Sequence, residues 1–156
     1  KFGVSAKDRH RVLTLASIVQ KEARQEPDFY KVSRVFLNRI KTGMHLQSDA
    51  TVSYGVDGNT VNTSAADRAN NNGFNTYLHA GLPVGPISSP GAVAIDAALH
   101  PAAGSWLFFC AVNLETGETV FSTTLAEHEK AGVGNQGFLR ALARLQSGQG
   151  HERLVG

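Results

Sequence analysis

A chain of 156 residues that is 42% hydrophobic can bury one ordinary core and has no room for two large ones. Lys and Arg number 15 against 13 Asp and Glu, a net charge of +2 with no basic run, so a dedicated nucleic-acid surface is not indicated. The longest apolar run, Trp106 to Val112, is far shorter than the roughly 20 residues that cross a bilayer, no signal-peptide pattern opens the chain, and the polypeptide as given reads as soluble.

Ser5-Ala6-Lys7-Asp8 has the form of a capping box and predicts a first helix over about residues 6–25. At about 100° per residue, Val12, Leu15, Ala16, Ile18, Val19 and Ala23 span one side, while Gln20, Lys21 and Arg24 point away. Glu22 falls inside the apolar arc, between the directions of Leu15 and Ile18. Loss of water there would favour the neutral acid, which is what a carboxyl needs to donate a proton near neutral pH. The alternative is that Glu22 edges the stripe and snorkels or pairs with an Arg.

Pro27 opens a second amphipathic helix, in which Phe29, Val32, Val35, Phe36 and Ile40 recur at helical spacing and Gly43 supplies the stop. From Gly43 to Gly91 the composition turns to Gly, Asn, Asp, Ser and Pro, with short helical pieces expected near Asp49 to Tyr54 and Ser64 to Ala69. So long a loop-rich stretch in a compact domain is usually functional or disordered. Its anchors Tyr54, Phe74, Tyr77, Leu82 and Ile87 predict ordered groove walls.

Ser89 as N-cap and Pro90 at the first position predict a helix that continues through Ala92 to Leu99 and stops at Pro101. Trp106 to Val112 and Glu118 to Ser122 form a hairpin signal around Asn113 to Gly117. Thr124-Leu125-Ala126-Glu127 is another capping box, with helical segments expected to continue, across a Gly-rich break at 132–137, through Leu145. The fold class is α+β, mainly helical, with a small antiparallel hairpin and a long loop-rich groove.

Three segments stand out besides the Glu22 helix: Gly43-Met44-His45-Leu46-Gln47-Ser48-Asp49-Ala50-Thr51-Val52-Ser53-Tyr54-Gly55; Phe74-Asn75-Thr76-Tyr77 with Gly81-Leu82-Pro83-Val84-Gly85-Pro86-Ile87; and Phe121 with Thr124 to His128. Read with Ala16-Ser17-Ile18-Val19-Gln20-Lys21-Glu22 and Val35-Phe36-Leu37-Asn38-Arg39-Ile40, they closely resemble the endolytic murein transglycosylase (MltG, or YceG-like) family, in order from about residue 12 to 146. The resemblance implies a membrane-anchored enzyme on the outer face of the bacterial cytoplasmic membrane. It would cut within nascent peptidoglycan strands and leave a 1,6-anhydro-N-acetylmuramic acid end. It also implies a lysozyme-like catalytic arrangement, an upstream membrane helix and LysM-like domain absent from these 156 residues, no cofactor, and peptidoglycan synthases as candidate partners. The whole chain then reads as a single catalytic domain.

In the family the Glu closing the Ala-Ser-Ile-Val-x-x-Glu motif is the catalytic acid, which maps onto Glu22; the position two before it, often Glu among relatives, is Gln20, which cannot titrate. Gly-Met-x-Leu-Gln also resembles an element of other lytic transglycosylases and casts Gln47, with its neighbour Ser48, as substrate-binding. Asn75 could hold an N-acetyl group and Tyr77 could donate to the acid or stack on a sugar, although a core ring is an equal alternative for Tyr77. Asp49 looks like an N-cap, Arg39 like a structural anchor and His128 like a helix-terminal hydrogen-bonding residue. The six histidines, His10, His45, His79, His100, His128 and His151, show no metal-ligand spacing, and the lone Cys110 reads as a small buried apolar residue. Two rivals remain: a hydrolytic muramidase recruiting Asp49 as base, and a glycan-binding module without activity.

Overall fold

The computed structural model describes residues 3–56, 63–113, 115–133 and 154–155. In chain order these form α1 (Ala6–Glu22), α2 (Glu26–Thr42), α3 (Asp49–Val56), α4 (Ala65–Ala69), α5 (Ala92–Leu99), β1 (Phe108–Ala111), β2 (Thr119–Ser122), α6 (Leu125–Val133) and a two-residue β3 (Leu154–Val155). The α+β class and the short helices inside the loop-rich stretch agree with the sequence. The helix expected to run on to Leu145 falls largely outside the described residues.

Helix α1 starts as its sequence dictates: Ser5 Oγ accepts the Asp8 amide at 3.3 Å and donates to the Asp8 carboxylate at 2.8 Å. It stops at Glu22, short of the expected end near residue 25, and Ala23 is already extended. The cause is the next helix. Pro27 sits in the first turn of α2 and Gln25 is its extended N-cap, so the reversal must be completed within Ala23-Arg24-Gln25. Gln25 Nε2 then donates to Thr116 O at 2.6 Å, tying this corner to the hairpin turn. At its far end α2 closes on Gly43, left-handed at φ 77°, as expected.

Residues Thr14 to Val19 are buried without a break, because α1 runs through the middle of the molecule with α2, α3 and α5 packed on it. The core joins Leu15, Ile18 and Val19 to Val35, Phe36 and Phe109, with the Phe36 and Phe109 rings edge to face at 5.8 Å. Helix α5 begins two residues later than predicted: Gly91, not Ser89, is the N-cap. Gln20 Oε1 accepts the Gly91 amide at 2.9 Å, so a side chain of α1 ties down the start of α5 and leaves no capping task for Ser89.

Strands β1 and β2 pair antiparallel with Phe108 opposite Ser122 and Ala111 opposite Thr119, inside the predicted runs. The β3 pair Leu154–Val155 adds to the other edge of β1, giving the order β2-β1-β3, which nothing in the sequence pattern announced. Among the described residues no helix is long and apolar enough to cross a membrane.

Arg39 is fully buried and spends its guanidinium on backbone carbonyls: Nε donates to Leu107 O at 2.7 Å, and Nη1 to His45 O at 3.2 Å and Leu46 O at 3.3 Å. One cation thereby links α2, the segment after Gly43 and the entrance to β1. Burial pushes its pKa down to about 10, which still leaves it charged at neutral pH.

His128 does not serve a helix end. It is buried in α6, stacked on Phe108 at 5.1 Å, with Arg39 on the same ring at 5.2 Å and its own Nδ1 without a partner. Burial, then repulsion from Arg39, lowers its proton affinity, opposed by the weaker pull of Glu129. The folded state thus binds fewer protons here than the unfolded chain, so the site's stability is complete above the ordinary value of 6.5 and is lost as pH falls through it toward the lower folded value. His128→Phe, which keeps a ring in the stack, should therefore lose less melting temperature than the parent between about pH 7 and pH 5. Equal slopes in scanning calorimetry would remove His128 as the source of acid sensitivity.

Candidate active site

Glu22 is the last residue of α1 and is only 8% exposed. Two features of that place disfavour negative charge: water is largely excluded, and the final carbonyls of the helix present the negative end of its dipole. The fully buried Ser48 hydroxyl donates to Glu22 Oε1 at 2.9 Å.

The path that delivers Ser48 begins at Gly43. Past this left-handed stop the Met44 amide bonds back to Arg39 O, Arg39 clamps the carbonyls of His45 and Leu46, and the Leu46 side chain enters the core. Gln47 follows at φ 49°, the one residue other than glycine with positive φ among those described. A side chain in that region costs roughly 1–2 kcal/mol, and such strain persists where surrounding structure over-determines it. Here the surroundings are visible: the Gln47 amide donates to Thr76 O at 3.1 Å and the Ser48 amide to Thr76 Oγ1 at 2.9 Å. Thr51 completes the joint, its hydroxyl donating to Ser48 O at 2.7 Å and meeting Thr76 Oγ1 at 2.8 Å. The Gln47 side chain makes no hydrogen bond of its own among the described residues and is half-buried.

Asn75 takes a different part from the expected sugar contact. It is 1% exposed, its Nδ2 donates to Arg68 O and Asn70 O, and its Oδ1 accepts the amides of Tyr77 and Leu78. All four hydrogen-bonding positions of the amide are occupied inside its own loop, which makes it the scaffold on which Tyr77 stands.

Tyr77 donates its hydroxyl to Asp49 Oδ1 at 2.8 Å, not to Glu22. Burial, followed by the charge and hydrogen bond of Asp49, raises its proton affinity well above that of an ordinary phenol; Arg68 pulls weakly the other way and Glu22 adds to the rise. The phenol therefore keeps its proton throughout the physiological range. Asp49 is the first residue of α3 rather than its N-cap, and its 6%-exposed carboxylate also accepts from Thr63 Oγ1 at 2.9 Å. Arg68 holds Thr63 through two bonds and lies 6.0 Å over the Tyr77 ring.

Of the predicted site residues, the structure thus brings together Glu22 and Ser48 directly, with Gln47 one residue away, while Tyr77 meets Asp49, the residue after Ser48. Thr51, Thr63, Thr76 and Arg68 escaped the sequence reading, because a Thr in a polar loop is normally solvated and nothing local marks it as buried. The signal available was that Thr76 lies between two singled-out residues. An apolar cleft of about 380 Å³ lined by Val12, Leu15, Leu37, Ile40, Leu82 and Leu99 shares no residue with this cluster.

The left-handed step yields a stability test. Gln47→Gly exchanges relief of steric strain for chain entropy and should stay within about 1 kcal/mol of the parent, whereas the β-branched Gln47→Val should be about 2 kcal/mol less stable than Gln47→Gly. Equal denaturation midpoints for the two variants would mean that the position is not held left-handed in solution.

Residues 3–133 match the model of the YceG-like family. A protein named endolytic murein transglycosylase from Bacillus subtilis (strain 168) is 40% identical over 122 residues, covering 78% of this chain and 33% of that protein. A protein of the same name from Streptococcus pneumoniae serotype 2 (strain D39 / NCTC 7466) is 29% identical over 126 residues, covering 78% of this chain and 23% of its own. The chain therefore spans about a third and about a quarter of the length of these relatives. The crystal structure of a YceG-like protein from Listeria monocytogenes aligns with a TM-score of 0.74 at 41% identity over 78% of this chain and 39% of that one. With the family model covering most of its length, and a crystallised relative sharing its fold, the chain belongs to the YceG-like family.

Proposed function

We propose that this chain is the catalytic part of a peptidoglycan lytic transglycosylase of the bacterial cell envelope. It cleaves the bond between N-acetylmuramic acid and N-acetylglucosamine without water, leaves a 1,6-anhydro end, and so terminates nascent strands. The names of the relatives support the substrate class and the reaction. The observation that carries the reading here is the nearly buried Glu22 carboxyl, placed at a helix C-terminus and gripped by Ser48.

Glycosidases that use water need two carboxyl groups, one as acid and one as base or nucleophile. Lytic cleavage needs one. Glu22 protonates the glycosidic oxygen, which leaves as the C4 hydroxyl of the glucosamine unit. The Glu22 carboxylate then takes the proton of the muramic C6 hydroxyl as that oxygen bonds to C1 of the same sugar. The nucleophile is already tethered to the electrophile, and effective molarity replaces the second carboxyl. The likeness to lysozyme in this reading lies in the desolvated general acid alone.

Gln47 and Tyr77 are the substrate contacts in this reading, Ser48 holds the acid, and Asn75 shapes the loop. The hydrolytic rival would need Asp49 as base. Asp49 Oδ1 already receives two hydroxyl protons, from Tyr77 and Thr63, and the group is nearly buried, which argues for the transglycosylase. Peptidoglycan synthases are candidate partners by the same reading.

Glu22→Gln should retain its melting temperature and lose at least about a hundredfold in cleavage rate on purified glycan strands, because the amide cannot donate an acidic proton. Mass spectrometry of the parent's products should show anhydro ends. Reducing ends in their place would establish hydrolysis, an unimpaired Glu22→Gln variant would remove Glu22 as the acid, and no cleavage by the parent itself would leave only a binding module.

A further inference from the structure

Tyr54 and Phe74, expected from the sequence to line a groove, take no part in the bonds around Glu22, yet each lies on a segment that builds them. Tyr54 belongs to α3, which begins one residue after Ser48. Phe74 stands two residues before Thr76, whose carbonyl and hydroxyl hold the Gln47 and Ser48 amides. The two rings meet edge to face with centroids 4.8 Å apart. With that contact made, Tyr54 is still 46% exposed, and its hydroxyl bonds no described residue. Five residues of helix rise about 7.5 Å, which sets the ring well along α3 from Asp49.

A single exposed ring says little by itself. Its setting says more. The Phe74 amide donates to Asn72 Oδ1 at 2.9 Å, and a Cβ at Gly55, the residue after Tyr54, would come within 3.0 Å of the Phe74 Cβ. Next to Phe74, the Val84 amide bonds to Gly73 O at 3.1 Å, and a Cβ on Gly73 would lie 2.6 Å from a Val84 methyl. Two glycines thus let Tyr54, Phe74 and the exposed Val84 close into one apolar strip. Among the described residues five large hydrophobic side chains are exposed, and three of them, Tyr54, Leu78 and Val84, come from α3 and the 70–85 loop. Exposure is therefore concentrated on the two segments that carry Thr51, Thr76 and Tyr77.

The strip is small and its margin is polar. Asn70 and Asn71 spend their Oδ1 atoms on Asn72 and His79 and are exposed, which leaves their Nδ2 donors to solvent. A stable protein interface takes about 800 Å² from each partner, far more than one ring and a valine offer. A sugar matches the scale. A pyranose carries C–H groups on its faces and hydroxyls at its edge, so a face can rest on the ring while the edge meets amides and the phenol.

We propose that Tyr54, backed by Phe74, is a stacking platform for a sugar of the glycan strand remote from the cut. The platform rests on the reading of the substrate as a glycan strand, and it gives Tyr54 a grip on the polymer with no part in breaking the bond.

The test follows cleavage of glycan strands of decreasing length by the purified protein. Tyr54→Ala should raise KM about fivefold or more on long strands and leave kcat within about twofold, because the lost contact is the same in the ground and transition states. The penalty should vanish on fragments too short to reach the ring. Tyr54→Trp should return the long-strand KM to within about twofold of the parent's, since it keeps an aromatic face. Tyr54→Leu retains apolar packing on Phe74 without that face and decides the matter should Tyr54→Ala fail to fold. A parental KM on long strands, or a penalty equal at every length, overturns the platform while an inactive Glu22→Gln leaves the reading of Glu22 standing. Where turnover is too slow to follow, sedimentation with insoluble peptidoglycan decides: Tyr54→Ala should be retained less than the parent and Tyr54→Trp equally, and equal retention of all three overturns the platform. An active Glu22→Gln beside a weakened Tyr54→Ala removes the acid and keeps the platform, so the two failures are told apart.

Discussion

Taking a carboxyl out of water is costly unless a protein donor replaces the hydrogen bonds it gives up. The Ser48 hydroxyl, 2.9 Å from Glu22 Oε1, is such a donor, and most of the unusual features of this chain serve to put it there. Ser48 belongs to a segment with little secondary structure of its own, so its position has to be imposed from both sides. Arg39 imposes it from α2 by holding the two carbonyls that precede Gln47. Thr76 imposes it from the opposite loop by engaging the two amides that follow Leu46. Between these grips the backbone can pass only through the left-handed region, which accounts for a non-glycine residue at φ 49°.

A fully buried guanidinium is costly in itself, and its retention asks for a reason beyond stability. Arg39 answers with geometry: its planar fork reaches carbonyls of the 43–48 segment and of the chain entering β1 at once, which the single ammonium of a lysine could not match in direction. The hairpin, remote from Glu22 in sequence, is thus coupled to the site through one side chain. Phe108, in contact with both Arg39 and His128, extends that coupling to α6.

Much of this architecture can be read from residue order, and the parts that cannot share a cause. Helices α1, α2 and α5, the two strands of the hairpin and the place of Glu22 on its helix all follow from apolar periodicity, capping residues and turn residues, which are local signals. The use of Gln20 to hold Gly91 and the bond from Tyr77 to Asp49 depend on partners distant in sequence, while the early stop of α1 and the closed hydrogen-bond set of Asn75 depend on how neighbouring residues turn the chain, which apolar periodicity does not report. Polar residues in particular give no sign in the sequence of whether water, a neighbouring backbone group or a remote side chain satisfies them. That is why Asn75 reads as a ligand for sugar in the sequence and as scaffold in the structure, and why Asp49 reads as a cap when its carboxylate faces another loop.

The hydroxyls of this network also carry direction. Thr51 gives its one proton to Ser48 O, so in its contact with Thr76 the Thr76 hydroxyl must be the donor, and Thr76 Oγ1 is then free to accept the Ser48 amide. Ser48 in turn gives its proton to Oε1 of Glu22. The threonines thus hold the backbone that carries Ser48, and the Ser48 hydroxyl in turn meets the acid at Oε1. Ordinary threonines and one serine therefore place the donor that a nearly buried carboxyl needs. A serine whose hydroxyl pointed elsewhere would leave Oε1 without that donor.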